Sequence, residues 1–137
     1  MLKVLKIELS NLFTRPLEGA KIEVYPYPTK VYYLQDNRRI YLPSVIAYLT
    51  ANQWGNAETQ LVPNDLLSPS PNFYLVKVMY KGREYYFVTK ITSDMDDIVY
   101  LHNVILNKEE ECQNQQNLPY RIVGTNYFVW IKTKSKP

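Results

Sequence analysis

Residues Asn52–Lys90, NQWGNAETQLVPNDLLSPSPNFYLVKVMYKGREYYFVTK, decide the fold. They read as a turn, a short strand, a proline-studded loop and a tight hairpin. In the first hairpin strand Tyr74, Val76, Val78 and Tyr80 share one face, and Lys77 lies on the other. After Lys81-Gly82-Arg83 the return strand puts Tyr85 and Phe87 on one face and Tyr86 and Val88 on the opposite one. Period-two alternation bounded by Gly and Pro is the signature of a strand pair, because successive side chains of a strand point to opposite faces. The class is therefore antiparallel β.

Outward from this hairpin the same pattern repeats. Leu5, Ile7 and Leu9 alternate with Lys6 and Glu8 in a first strand, and SNLFTRPLEG turns the chain at Pro16 and Gly19. Ala20–Tyr25 forms a second strand with Ile22 and Val24 inward; Pro26 and Pro28 end it, since neither can donate to a ladder. Thr29–Leu34 is a third strand, Asp36-Asn37-Arg38-Arg39 turns into Ile40-Tyr41-Leu42, and the β-branched, aromatic SVIAYLT at 44–50 reads as a strand rather than a helical turn. Glu58–Leu61 leads into the loop Val62-Pro63-Asn64. Beyond the hairpin come a polar loop at Thr92–Asp97, a strand at Ile98–Leu101 and an apolar turn of helix at His102–Leu106.

Residues 107–117, NKEEECQNQQN, are a linker, an exposed loop or a short exposed helix. Tyr120–Val123 and Tyr127–Lys132 then form a second hairpin, followed by a basic, frayed tail. Its last strand alternates Tyr127, Val129 and Ile131 with Phe128 and Trp130, so both faces need apolar cover, from this chain or from a neighbouring subunit. Tyr120, Tyr127, Phe128 and Trp130 are the candidate interface residues. Eight to ten short strands at close spacing predict a β-sandwich or barrel over residues 1–106, with 107–137 as linker and hairpin extension.

Composition bounds the function. A chain of 137 residues is one domain with room for a real core. Thirteen tyrosines favour strands, and nine prolines against four glycines favour stiff turns. Net charge is +3, with 16 basic and 13 acidic residues interspersed, which is a solvated surface and not the one-sided footprint of a nucleic-acid binder. The N-terminus MLKVLKIEL alternates as a strand does, unlike the apolar core of a signal peptide, and no run approaches a membrane span of ~20 apolar residues. The single cysteine, Cys112, excludes an intrachain disulfide, and the acids before it oppose a thiolate.

No catalytic motif stands out. His102 is the only histidine, and it lies ten residues from Cys112 without an orienting third group. Asp94, Asp96 and Asp97 begin like a calcium loop but lack its glycine and its bidentate glutamate. Glu8, Glu18, Glu23, Glu58 and Glu84 lie in or near strands, where outward-facing carboxylates are normal. No catalytic residue, metal ligand or cofactor site is assigned. Tyr25, Tyr27, Tyr32, Tyr33, Tyr41 and Trp54 are either a sugar-stacking platform, with Trp54, Tyr25 and Tyr27 as its core, or packing groups between sheets or subunits.

The order of these elements resembles a module of bacteriophage tail-fibre, baseplate and related structural proteins. The residues that carry the resemblance are GAKIEVYPYP, TANQWGNAETQLVPN and SPSPNFYLVKVMYKGREYYFVTKITSDMDDIVYLHNVI. Within them lie a G-A-led strand at Gly19–Val24, a T-x-x-x-G-x-A-x-x-x-L-x-P-N turn and strand at Thr50–Asn64, and a Y-x-V-x-V strand at Tyr74–Val78. The return strand at Tyr85–Val88 and a short V-x-L segment at Val99–Leu101 complete the pattern. It covers roughly residues 3–106; Thr89-Lys90 stand where the family often has Pro, and 107–137 match no part of it. The resemblance implies an immunoglobulin- or transthyretin-like β-sandwich in a non-enzymatic virion component, assembled in the host cytoplasm. Its expected partners are other phage structural proteins and further copies of itself, with no nucleic acid and no membrane. A carbohydrate-binding module for a host surface glycan is the alternative.

Overall fold

Lys81 and Gly82 have φ of 51° and 80°. Two successive left-handed residues make the turn whose twist matches a β-hairpin. They join β7 (Phe73–Tyr80) to β8 (Arg83–Thr89), with Tyr74 opposite Thr89, Val76 opposite Phe87 and Val78 opposite Tyr85. The alternation read from the sequence is present, and its Tyr74–Val76–Val78 face, with Phe87, has no exposed surface.

The architecture comes from a computed structural model. It describes residues 2–106 in full and, beyond them, only the backbone of β10 (Pro119–Arg121) and β11 (Phe128–Lys132). The expectations for residues 107–117, for Cys112, for Tyr127 and for the side chains of Tyr120, Phe128 and Trp130 fall outside the described residues.

The remaining strands are β1 (Lys3–Glu8), β2 (Lys21–Tyr27), β3 (Tyr32–Gln35), β4 (Arg38–Tyr41), β5 (Ala47–Thr50), β6 (Asn56–Leu61) and β9 (Ile98–Tyr100). They form a main sheet ordered β10-β11-β8-β7-β2-β5, a second sheet ordered β6-β1-β9, and the separate hairpin β3-β4. All pairings are antiparallel except β1 with β9. Leu5 and Ile7 of the second sheet and Ile22, Val24, Val76 and Phe87 of the main sheet belong to one continuous core. The chain is an all-β sandwich with no closed barrel. Each fully buried Leu, Ile or Phe contributes roughly 1.5–3 kcal/mol, so this core is the main source of stability.

Two local readings are corrected. SNLFTRPLEG is not only a turn, because Leu9–Phe13 form the short helix α1. Leu9, Leu12 and Phe13 fall at helical spacing; the two leucines are buried, and Phe13 meets Tyr85 and Phe87 edge-on at 5.0 and 5.8 Å. Pro26 does not end β2, which runs on to Tyr27 opposite Phe73. Val24 is the last β2 residue paired with β5, and its carbonyl accepts from the Ile46 amide. Residues two apart point the same way, so the nitrogen of Pro26 faces the side where β5 has already ended. A missing N–H costs nothing there.

The crossings between the sheets are tied by buried amides. Asn64 opens the 3-10 turn Asn64–Leu66 after β6, Asn72 immediately precedes β7, and Ile91 follows β8. The Asn64 side chain donates to Asn72 Oδ1 at 2.9 Å and accepts from the Ile91 amide at 2.8 Å. The Asn64 amide donates to the Ile91 carbonyl, while Asn72 Nδ2 donates to the carbonyls of Leu67 and Pro69. Beside them the buried Tyr74 hydroxyl donates to the Val62 carbonyl at 2.5 Å. Outside this joint Asp65 accepts from the Ser93 amide and hydroxyl, and the Ser93 hydroxyl holds its carboxyl below the ordinary aspartate range.

The turn before β6 depends on one glycine. Asn52 Oδ1 accepts from the amides of Trp54 and Asn56, which closes the turn around Gly55 at φ 79°. A Cβ on Gly55 would lie 2.1 Å from the Pro16 carbonyl oxygen, and the Gly55 carbonyl accepts from the Leu9 amide.

Asn64→Ala should lower unfolding free energy by about 2–4 kcal/mol in urea titration, since it orphans the Ile91 amide and leaves a buried Asn72 carbonyl oxygen without its donor. Gly55→Ala should cost about 2–4 kcal/mol, from the left-handed φ and the collision with rigid backbone together. A loss below about 1 kcal/mol at Gly55 would mean that the 14–19 loop moves away freely.

Candidate functional site

The outer face of the main sheet carries a layer of tyrosines around a charged centre. Along β2, Lys21, Glu23, Tyr25 and Tyr27 point outward because Ile22, Val24 and Pro26 point in. Register then brings Tyr48 of β5 and Lys77 of β7 to either side of Glu23, and Tyr86 of β8 opposite Lys77. The Lys77 ammonium lies 3.9 Å from Glu23 Oε1 and 3.5 Å from Glu84 Oε2. All three side chains are less than a quarter exposed, so water screens them only in part. The tyrosines lean on this trio. The Tyr25 hydroxyl donates to Glu23, the Tyr86 hydroxyl donates to Glu84 at 3.2 Å, and Lys77 sits 5.9 Å from the Tyr86 ring centre.

Burial is the first cause that raises the pKa of Tyr25 and Tyr86, and the neighbouring carboxylates add to it. Tyr86 is pushed up to about 12. At the same edge β11 adds a further strand, with Trp130 in register with Tyr86 and Lys132 with Glu84.

Of the sugar-stacking candidates, Tyr25 and Tyr27 share the outer face of β2, and Tyr27 is exposed. Trp54 is 63% exposed in the turn beyond β5, which pairs with the Lys21 end of β2. Six residues of strand, about 20 Å, separate Lys21 from Tyr27, so Trp54 and Tyr27 stand at opposite ends of the sheet. Tyr32 and Tyr41 pair on the β3-β4 hairpin with ring centres 5.2 Å apart and planes tilted by 52°, and the Arg39 guanidinium stands 4.8 Å from the Tyr32 ring centre. Tyr33 packs against the core.

His102 lies in α2 (Leu101–Val104), 5.8 Å from the ring of Tyr100, and its Nδ1 is buried without a hydrogen-bond partner among the described residues. Asp94 accepts from Thr92, and Asp97 pairs with Lys3. No group of three or more His, Cys, Asp or Glu among the described residues could hold a metal ion. No described helix is long and apolar enough to cross a membrane.

Sequence reading missed the Glu23–Lys77–Glu84 trio as a unit. Its signal was Lys77, the lone charge in Phe73–Tyr80, but joining it to Glu23 requires the β2-β7 register. Arg39 was missed for a similar reason, since only the β3-β4 register sets it beside the tyrosines.

This chain matches no family model, no curated protein and no solved structure. The surface itself therefore carries the functional argument.

Tyr86 should be the source of a slow-rising tyrosinate absorbance near pH 12, absent in Tyr86→Phe. Its raised pKa adds stability that is fully present below pH ~10, where an unfolded tyrosine begins to ionise, and lost as pH climbs toward about 12. A Tyr86→Phe variant should lose less stability than the parent between those pH values.

Proposed function

We propose that this chain is a non-enzymatic structural subunit of a bacteriophage particle, in the tail, neck, baseplate or fibre, and that it works by protein–protein assembly. The observation that supports the assembly reading is the spread of its exposed aromatics. Tyr27, Tyr41, Tyr48 and Trp54 are all more than two-fifths exposed, yet they sit on β2, on β4, on β5 and in the turn after β5. Rings spread over the main sheet, the β3-β4 hairpin and a turn suit protein contacts, where tyrosine, tryptophan and arginine form the contact centres. A glycan site gathers two or three rings into one groove. The virion assignment rests on the resemblance carried by Gly19–Val24, Thr50–Asn64 and Tyr74–Val78. The residues of that pattern have evident structural work here: Gly55 permits the turn against Pro16, and Asn64 holds the crossing to Ile91.

The test is particle association. Phage particles from a lysate in which the gene is expressed should, after density-gradient purification, contain the chain at a fixed copy number, and antibody against it should decorate one location. Absence from particles, together with saturable binding of the purified chain to an array of bacterial surface glycans, would replace this reading with the carbohydrate-binding one.

A further inference from the structure

Two patches of opposite charge flank the start of β1. The first is the β3-β4 hairpin. Its pairings set Leu34 opposite Arg39 and Tyr32 opposite Tyr41, which places these four side chains on one face of a two-stranded ribbon. Leu34 is 66% exposed, Tyr41 is 54% exposed, and both Arg38 and Arg39 are exposed. Residues 29–43 carry Lys30, Arg38 and Arg39 against the single acid Asp36. The second patch is a groove of about 530 Å³ lined by Met95, Ile98 and Tyr100 together with Asp94 and Asp96. Residues 92–104 carry three aspartates and no Lys or Arg. Ile98 is 46% exposed beside them.

Within the chain these charges stay apart. Among the described residues Arg38, Arg39, Asp94 and Asp96 form no salt bridge; Asp97 alone of the acidic patch is paired, with Lys3. Both patches nevertheless lie at one end of the sandwich. Leu2 lines a groove with Tyr33 and Leu34 at the hairpin, and its neighbour Lys3 donates to the Met95 carbonyl at 2.7 Å.

We propose that the chain forms a two-fold dimer in which the β3-β4 hairpin of one copy docks on the Asp94–Tyr100 groove of the other, and the reverse. Two complementary patches at one end of a molecule are what an isologous contact requires, because the same rotation satisfies both. Arg39 of one copy meets Asp94 and Asp96 of the other and sets orientation, while Arg38, on the ribbon's other face, adds to the positive field that speeds encounter. Leu34 and Tyr41 against Met95 and Ile98 supply the apolar burial, since exposed ion pairs alone contribute little. This inference rests on the assembly reading and gives it one partner, a second copy of the chain.

Sedimentation velocity on the full chain tests it. At low ionic strength the parent should show a concentration-dependent dimer that weakens as salt rises. Arg38→Glu/Arg39→Glu and Asp94→Lys/Asp96→Lys each face like charge in their own homodimers, so each should dissociate at least about tenfold more readily. All four positions are exposed, and unchanged circular dichroism and melting would establish that both variants are folded. Mixing the two variants should restore the dimer, because each then meets its opposite charge at both contacts. A parent that stays monomeric at every concentration, variants that dimerise as the parent does, or a mixture that remains monomeric would each overturn the proposal. A monomer that still occupies phage particles overturns the dimer and leaves the assembly reading intact. A dimer in a chain absent from particles supports the dimer and removes that reading.

Discussion

Two of the crossings between the sheets, β6 to β7 and β8 to β9, are held together by the buried pair Asn64 and Asn72. A sandwich needs connections that leave one sheet and enter the other, and those crossings carry backbone polar groups into the core's margin. Asn64 stands where the chain leaves β6, Asn72 where it enters β7, and Ile91 where it leaves β8. One side-chain contact between the two asparagines, with the Ile91 amide closing on Asn64, satisfies both crossings at once. An orphaned buried amide costs roughly 1–3 kcal/mol, a large share of the stability of a domain this size. The joint therefore fixes the β6-β7 and β8-β9 crossings, and with them the relation of one sheet to the other. Lys3 extends the same device, with its buried ammonium on the Met95 carbonyl tying the 92–97 loop to the start of β1.

With the inner faces committed, the outer face of the main sheet is free to differ from them. Its centre is the Glu23–Lys77–Glu84 trio, ringed by Tyr25, Tyr48 and Tyr86. A largely buried lysine between two carboxylates offsets one of their two charges, while the tyrosines supply contact area with few torsions to freeze. That combination suits assembly, in which broad burial matters and strong single charges oppose close approach. At the β1 end, by contrast, Arg38 and Arg39 of the hairpin and Asp94 and Asp96 form no salt bridge among the described residues.

Much of the fold was legible because its signals are local. Alternation in Tyr74–Tyr80 gave the strand and the residues that share each face, and Lys81-Gly82 and Asp36-Asn37 both adopt the left-handed pairs that close two-residue turns. What was illegible depends on distant partners. Pro26 reads as a strand end until the pairing with β5 is seen to end at Val24 opposite Ala47, and α1 reads as a turn until Phe13 is seen against Tyr85 and Phe87. The charged trio and the Arg39–tyrosine cluster each need a register that alternation alone does not specify. Asn64 was visible as the end of a motif, but nothing in the sequence told of its reach to Ile91.

Native-state hydrogen exchange at the Ile91 amide tests the central claim most directly. This N–H is held by the Asn64 side chain and by no strand ladder. If the joint holds the two sheets together, Ile91 exchanges only through global unfolding, with the same free energy and denaturant dependence as Val76 in the centre of β7. Exchange of Ile91 through a local opening, well below the stability of Val76 and insensitive to denaturant, would contradict it and make the amide joint a passive filling of a sandwich that its apolar core closes alone.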